Sequence, residues 1–103
     1  MTQRSAFVLR VHPEKIDEYV EAHADVWPEM LQALRDAGIR NYSIFRAGNE
    51  VFGYFESDDL GRASAYLDAQ DVSTRWQAAM APLLEERVPD AGPPPLEQIF
   101  RLD

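Results

Sequence analysis

Residues 39–56 read IRNYSIFRAGNEVFGYFE: two runs of aromatic and branched residues, Ile39 to Arg46 and Val51 to Glu56, flanking Ala47-Gly48-Asn49-Glu50. Such side chains fit a pleated, half-buried surface, and a short connection containing glycine and asparagine favours a tight turn. The segment predicts an antiparallel hairpin. Working outward, the residues before it carry helical signals. Pro13 suits a first helical turn, where its missing N–H is no loss, and Glu14 and Asp17 complement the positive end of the helix dipole. Ile16, Tyr19, Val20 and His23 recur at helical spacing on one face. Proline at 28 biases Trp27 away from helical geometry, so a break is expected near Asp25 to Trp27. Met30, Leu31 and Leu34 then resume the helix until Gly38 caps it. Further upstream, Phe7, Leu9 and Val11 alternate with Ala6, Val8 and Arg10, the period of a strand.

After the hairpin, Asp58 or Asp59 is placed to cap a helix reaching about Ala69. A further helical stripe carries Val72, Trp76, Met80 and Leu83, with Pro82 kinking its end. Residues 87–95 hold four prolines and a glycine and read as an extended loop, followed by a short final strand from Leu96 to Leu102. The order strand, helix, strand, strand, helix, strand is an α+β, ferredoxin-like split βαβ with a four-stranded antiparallel sheet. Residues 1–103 read as one domain. Both parities of the strands carry large apolar groups, as in Phe7 and Val8, Ile44 and Phe45, or Phe52 and Phe55. One sheet face would therefore stay apolar beneath no helix, and a homodimer through it is expected.

Composition narrows the function. Ten basic and eighteen acidic residues give a net charge of −8, which repels phosphate backbones and anionic lipid surfaces. No nucleic-acid or membrane partner is expected. There is no cysteine, so thiolate nucleophiles, cysteine-ligated zinc and disulfides are excluded. No signal-like apolar run opens the chain, and the reading is cytoplasmic. His12 and His23 lie on different elements without a nearby ligand spacing, and no metal is expected. Glycine-rich phosphate loops and a nucleophile elbow are also missing.

His23 is the leading candidate for chemistry, because imidazole can donate and accept a proton near neutral pH. It follows Tyr19 by one helical turn, and Trp27 and Glu29 surround the same helix break. A histidine satisfied by a helix carbonyl is the plainer reading of the same position. Asn41 and Tyr42 add an amide and a phenol, which alternation places on opposite sheet faces, so only one can point at the helices. Trp76 is either a core indole or a flat platform for the C–H face of a sugar ring. Arg75, four residues after Asp71, could bind hydroxyls or form a solvated pair.

Tyr19-x-x-x-His23-x-x-x-Trp27-Pro28-Glu29, followed by Gly38, Asn41-Tyr42-Ser43-Ile44, Asp71-Val72 with Arg75-Trp76, and Ile99-Phe100-x-Leu102, resembles the L-rhamnose mutarotase family over nearly the whole chain. The resemblance implies a ferredoxin-like domain in a dimeric α/β-barrel-like assembly and a sugar substrate. It also implies cofactor-independent interconversion of the α and β anomers of L-rhamnopyranose or a related 6-deoxy hexose. The family's proton donor falls on His23 and its sugar-contacting tyrosines on Tyr19 and Tyr42. Its tandem tryptophans fall on Trp76 and Gln77, where an amide exchanges stacking surface for hydrogen bonding. In the expected chemistry His23 protonates the ring oxygen while Tyr19 or a bound water takes the hydroxyl proton. Trp27, Asn41 and Arg75 are expected to line the sugar. Two rival readings are a small dimeric monooxygenase and a sugar-binding module without catalysis.

Overall fold

The computed structural model describes residues 1–85 and 93–102. Strand β1 (Gln3–Arg10) leads through a 3₁₀ turn, Pro13–Lys15, into α1 (Ile16–Ala24). Helix α2 (Pro28–Asp36) follows the break expected at Trp27. Trp27 has an extended backbone and Pro28 opens the new helix, as the steric limits on a residue before proline require. Gly38 ends α2 with φ +87°, its N–H reaching Arg35 O at 3.0 Å while Ile39 N–H reaches Leu34 O at 3.0 Å. This paired closure needs a left-handed residue, which glycine supplies without steric cost.

Strands β2 (Arg40–Ala47) and β3 (Glu50–Ser57) form the hairpin, closed by Gly48 at φ +61° and Asn49. Asn49 also ties the turn to the end of β1, because its amide donates to Val11 O at 2.9 Å and its carbonyl accepts from Val11 N–H at 2.9 Å. Helix α3 (Leu60–Asp68) begins at Asp59, whose carboxylate accepts from Arg62 N–H at 3.0 Å. Helix α4 (Asp71–Met80) continues into a 3₁₀ turn, Ala81–Leu83, where Pro82 ends the regular helix.

The antiparallel sheet has the order β1-β3-β2. The final strand expected over Leu96 to Leu102 is not formed, so the described sheet has three strands and not four. The start of that segment touches the edge of β1, through Leu96 N–H to Ala6 O at 2.7 Å. Beyond it Ile99, Phe100 and Leu102 are 89%, 77% and 83% exposed. Alternation makes a strand only where a ladder and a burying surface meet it, and among the described residues nothing covers this tail. Residues 87–92, most of the proline-rich loop expected over 87–95, lie outside the described residues.

The sheet has a helix-facing side and an open side. Phe7, Leu9, Val51, Gly53 and Phe55 point toward the helices, and Val8, Phe52 and Tyr54 point away. Beneath the helices the core forms two clusters. Val11, Tyr19, Val51 and Leu83 make one, and Met30, Ala33 and Val72 the other, with Trp27 and Trp76 packed on it. Among the described residues no helix is long and apolar enough to cross a membrane.

Phe7 sits opposite Gly53 across the ladder and fills the space a side chain at 53 would take. A Cβ there would drive into the Phe7 ring. Gly53→Ala is therefore expected to destabilise the fold by about 1–3 kcal/mol through overpacking, read as a lowered urea midpoint. An unchanged midpoint would show that the ring moves aside freely.

Candidate active site

The seam between the two core clusters is occupied by His23, one residue from the end of α1. Its Nδ1 lies 2.8 Å from the carbonyl oxygen of Tyr19, one turn earlier. A carbonyl can only accept, so the proton on this side of the ring is on Nδ1, and Nε2 is left with a lone pair or an exchangeable proton. The ring is held on two sides. It stacks on Tyr19, with centroids 4.3 Å apart and planes 29° apart. It also meets Trp76 edge to face at 5.4 Å and 80°. Trp76 in turn meets Trp27 at 5.1 Å and 89°. Tyr19, His23, Trp27 and Trp76 are thus brought together, three from the α1–α2 break and one from α4.

Two predicted positions have partners of their own. Arg75 donates from Nε to Asp71 at 2.8 Å and from Nη2 to Glu29 at 3.3 Å, and its guanidinium lies 5.8 Å from the Trp27 ring centre. Asn41 is not brought to the cluster. It has φ +51°, and between Arg40 and Ser43 the β2 register slips by a residue, so that Arg40 and Asn41 share one step of the ladder. Asparagine is among the few residues that tolerate this backbone. The Asn41 amide donates to Glu56 at 2.8 Å, which also accepts from Tyr54 at 2.6 Å on the open side. Gln77 is exposed on α4 beside Trp76.

Continuing the register that sets Ser43 opposite Tyr54, Tyr42 falls on the helix side, its ring centre 6.5 Å from that of Phe7 and 5.2 Å from that of Phe55. Phe7 and Phe55 form the sheet wall behind Tyr42, a grouping that alternation alone did not single out. The signal was an asparagine inside a strand. Burial among Val11, Val51 and Leu83 pushes the Tyr19 phenol up to about 12. Tyr42 is 39% exposed as a residue, but its hydroxyl end is desolvated, and this first and the Tyr19 phenol second push it above the ordinary tyrosine range. Both phenols therefore keep their protons at neutral pH and act as hydrogen-bond donors. Among the described residues no group of three His, Asp or Glu side chains could hold a metal ion. A separate cleft of about 160 Å³, lined by Gly38, Arg40, Ser57, Asp58, Asp59 and Arg62, lies at the other end of β3. Its Arg40 is already paired with Asp58 at 2.8 Å.

Comparison with known proteins gives this geometry a family. A family model described as L-rhamnose mutarotase matches residues 4–102. An L-rhamnose mutarotase of Oceanobacillus iheyensis is 33% identical over 104 residues, covering 98% of this chain and 99% of that protein. One from Burkholderia ambifaria is 40% identical over 102 residues, covering 95% and 96%. The crystal structure of L-rhamnose mutarotase FA22100 from Formosa agariphila superposes with a TM-score of 0.79 at 28% identity, covering 98% of this chain and 99% of that one. The tetracenomycin F2 cyclase of Streptomyces glaucescens shares the fold, at a TM-score of 0.62 and 20% identity.

The raised phenols have a measurable consequence. A proton held more tightly in the folded state than in the unfolded one gives Tyr19 a contribution to stability that is fully present below its ordinary value near 10. That contribution is then lost as pH climbs toward 12. Alkaline titration of tyrosine absorbance is expected to show a late component that shrinks in Tyr19→Phe and again in Tyr42→Phe. Titration of all phenols near 10 would contradict the buried placement.

Proposed function

The chain belongs to the L-rhamnose mutarotase family, and on that premise we propose how it interconverts the α and β anomers of L-rhamnopyranose. Ring opening needs a proton delivered to the ring oxygen and another removed from the anomeric hydroxyl, and closure reverses both. Neither step moves a hydride. The observation that carries the assignment is the bond between His23 Nδ1 and the Tyr19 carbonyl. With Nδ1 committed, Nε2 is the atom that exchanges a proton with the sugar. In its protonated form it gives that proton to the ring oxygen, and it recovers one at closure. Tyr19 was expected to share the catalytic work. A phenol pushed up to about 12 is a poor proton acceptor, so Tyr19 donates a hydrogen bond and a bound water takes the hydroxyl proton. One positioned acid or base of this kind contributes about 10²- to 10⁴-fold in rate.

The sugar would lie between the helix layer and the sheet. Trp76 offers an indole to the C–H face, and Tyr42 and Gln77 offer a phenol and an amide to hydroxyls. Asn41 and Arg75, engaged with carboxylates, are left out of the sugar contacts. Residues 1–103 act as one domain in this proposal. A cytoplasmic location goes with it, since a chain without cysteine gains nothing from an oxidising compartment.

We also propose that the open sheet side pairs with a second copy of the chain. Val8, Phe45 and Phe52 on that side are 36%, 68% and 40% exposed, an apolar strip that water leaves unsatisfied. Sedimentation is expected to find a dimer at micromolar concentration, and a monomer there would count against this face.

His23→Asn is expected to slow anomer exchange by about 100-fold or more, followed by NMR saturation difference on rhamnose. Undiminished exchange would remove His23 from the reaction. Trp76→Ala is expected to weaken rhamnose binding in a titration, and unchanged affinity would return the indole to a packing role.

A further inference from the structure

Arg75 lies against the aromatic series, and its Nε and Nη2 donors are taken up by carboxylates. The guanidinium joins α4 to the first turn of α2. Nε holds Asp71 within α4, and Nη2 reaches across to Glu29. Its plane also lies near the ring of Trp27, the residue that forms the break between the two helices of the first layer. From there the contacts run without a gap. Trp27 meets the face or edge of Trp76, Trp76 meets His23, and His23 stacks on Tyr19.

The exposure of the three charges argues against a role in global stability. Their side chains are 50% to 84% exposed, and solvated ion pairs contribute little to folding. What such a bridge can do is select one arrangement. The Trp27 backbone is fixed by Pro28 behind it, but its indole rotates about single bonds, and so does that of Trp76. A planar guanidinium anchored at two carboxylates is a fixed surface against which one rotamer of Trp27 is favoured. An ammonium has no such plane.

We propose that Arg75 is a positioning residue for the mutarotase reaction: the Asp71–Arg75–Glu29 bridge fixes Trp27, Trp27 fixes Trp76, and Trp76 holds the His23 ring at the angle its Nε2 needs. The inference rests on the function proposed above and assigns Arg75 and Trp27 to the support of the site instead of to the sugar. It also gives Glu29, in the Trp27-Pro28-Glu29 turn, a role in catalysis at a distance. Small misplacements of a reacting group have large effects on rate, so a bridge worth little in stability can matter in turnover.

The chain has only two histidines, His12 and His23, and this makes the test direct. Imidazole proton resonances of sugar-free protein are assigned with His12→Gln, and ring currents from Tyr19 and Trp76 set the position of the His23 pair. Arg75→Gln and, separately, Glu29→Gln are expected to move the His23 resonances while leaving those of His12 in place. The same variants are expected to lower anomer exchange at saturating rhamnose about tenfold with little change in the half-saturating concentration. Arg75→Lys keeps the charge without the plane and is expected to behave like Arg75→Gln. A raised half-saturating concentration with unmoved His23 resonances would make Arg75 a sugar contact and overturn the proposal. So would unmoved resonances with unchanged exchange. Should Arg75→Gln fail to fold, Glu29→Gln, which alters only one exposed arm, decides by the same readouts. A wild-type chain without accelerated exchange would sink the mutarotase function, while the His23 resonances of the variants would still judge the bridge.

Discussion

The hydrogen bond from His23 Nδ1 to the carbonyl of Tyr19 is the constraint on which the site depends. An imidazole has two nitrogens and can turn about its bond to the helix. One bond to the turn below removes both freedoms. It leaves Nε2 as the nitrogen not bonded to the helix, and the ring it orients has a phenol under one face and an indole against its side. A helix carbonyl can take this second bond because it has two lone pairs and its own ladder uses one. The arrangement requires histidine near the end of a helix and an aromatic residue four positions earlier. It then requires a break in the chain that lets Trp27 return toward the same place.

That break also explains why the site lies at a seam. Two short helices in place of one long one give the layer two apolar faces, each with its own cluster, and the polar-tipped aromatics gather where neither cluster closes. Tyr19 belongs to the first cluster, Trp27 and Trp76 pack on the second, and His23 touches both. The pocket chemistry is therefore made from residues that are half core and half site. Desolvation follows from the same placement and keeps the two phenols in their neutral form.

Much of this was legible in the sequence. The proline after Trp27, Gly38 at the end of α2, the hairpin around Gly48 and a helix cap at Asp58 or Asp59 are local signals, each with a local cause; each formed, the cap at Asp59. The Tyr19, His23 and Trp76 grouping followed from helical spacing and the family resemblance. What local reading could not reach depends on partners distant in sequence. The tail from Leu96 alternates like a strand, but it meets β1 at Leu96 without forming a ladder, and Ile99, Phe100 and Leu102 stay exposed. Alternation left open which of Asn41 and Tyr42 faces the helices, and the register of β2 on β3, with Ser43 opposite Tyr54, decides it for Tyr42. Arg75 read either as a ligand for hydroxyls or as half of a solvated pair with Asp71; that pair forms, and the sequence hides the second carboxylate, Glu29, 46 residues earlier.

The pairing of Phe7 with Gly53 has a bearing on how such a chain can diverge. The two positions share one allotment of space on the helix side of the sheet, and the ring at 7 occupies what 53 lacks. A larger residue at 53 becomes admissible only after the aromatic at 7 has shrunk, and the reverse order leaves a hole beside Tyr42. Drift at these two sites should thus proceed in coupled steps, with size traded across the ladder, and the wall behind Tyr42 would inherit the direction of the trade.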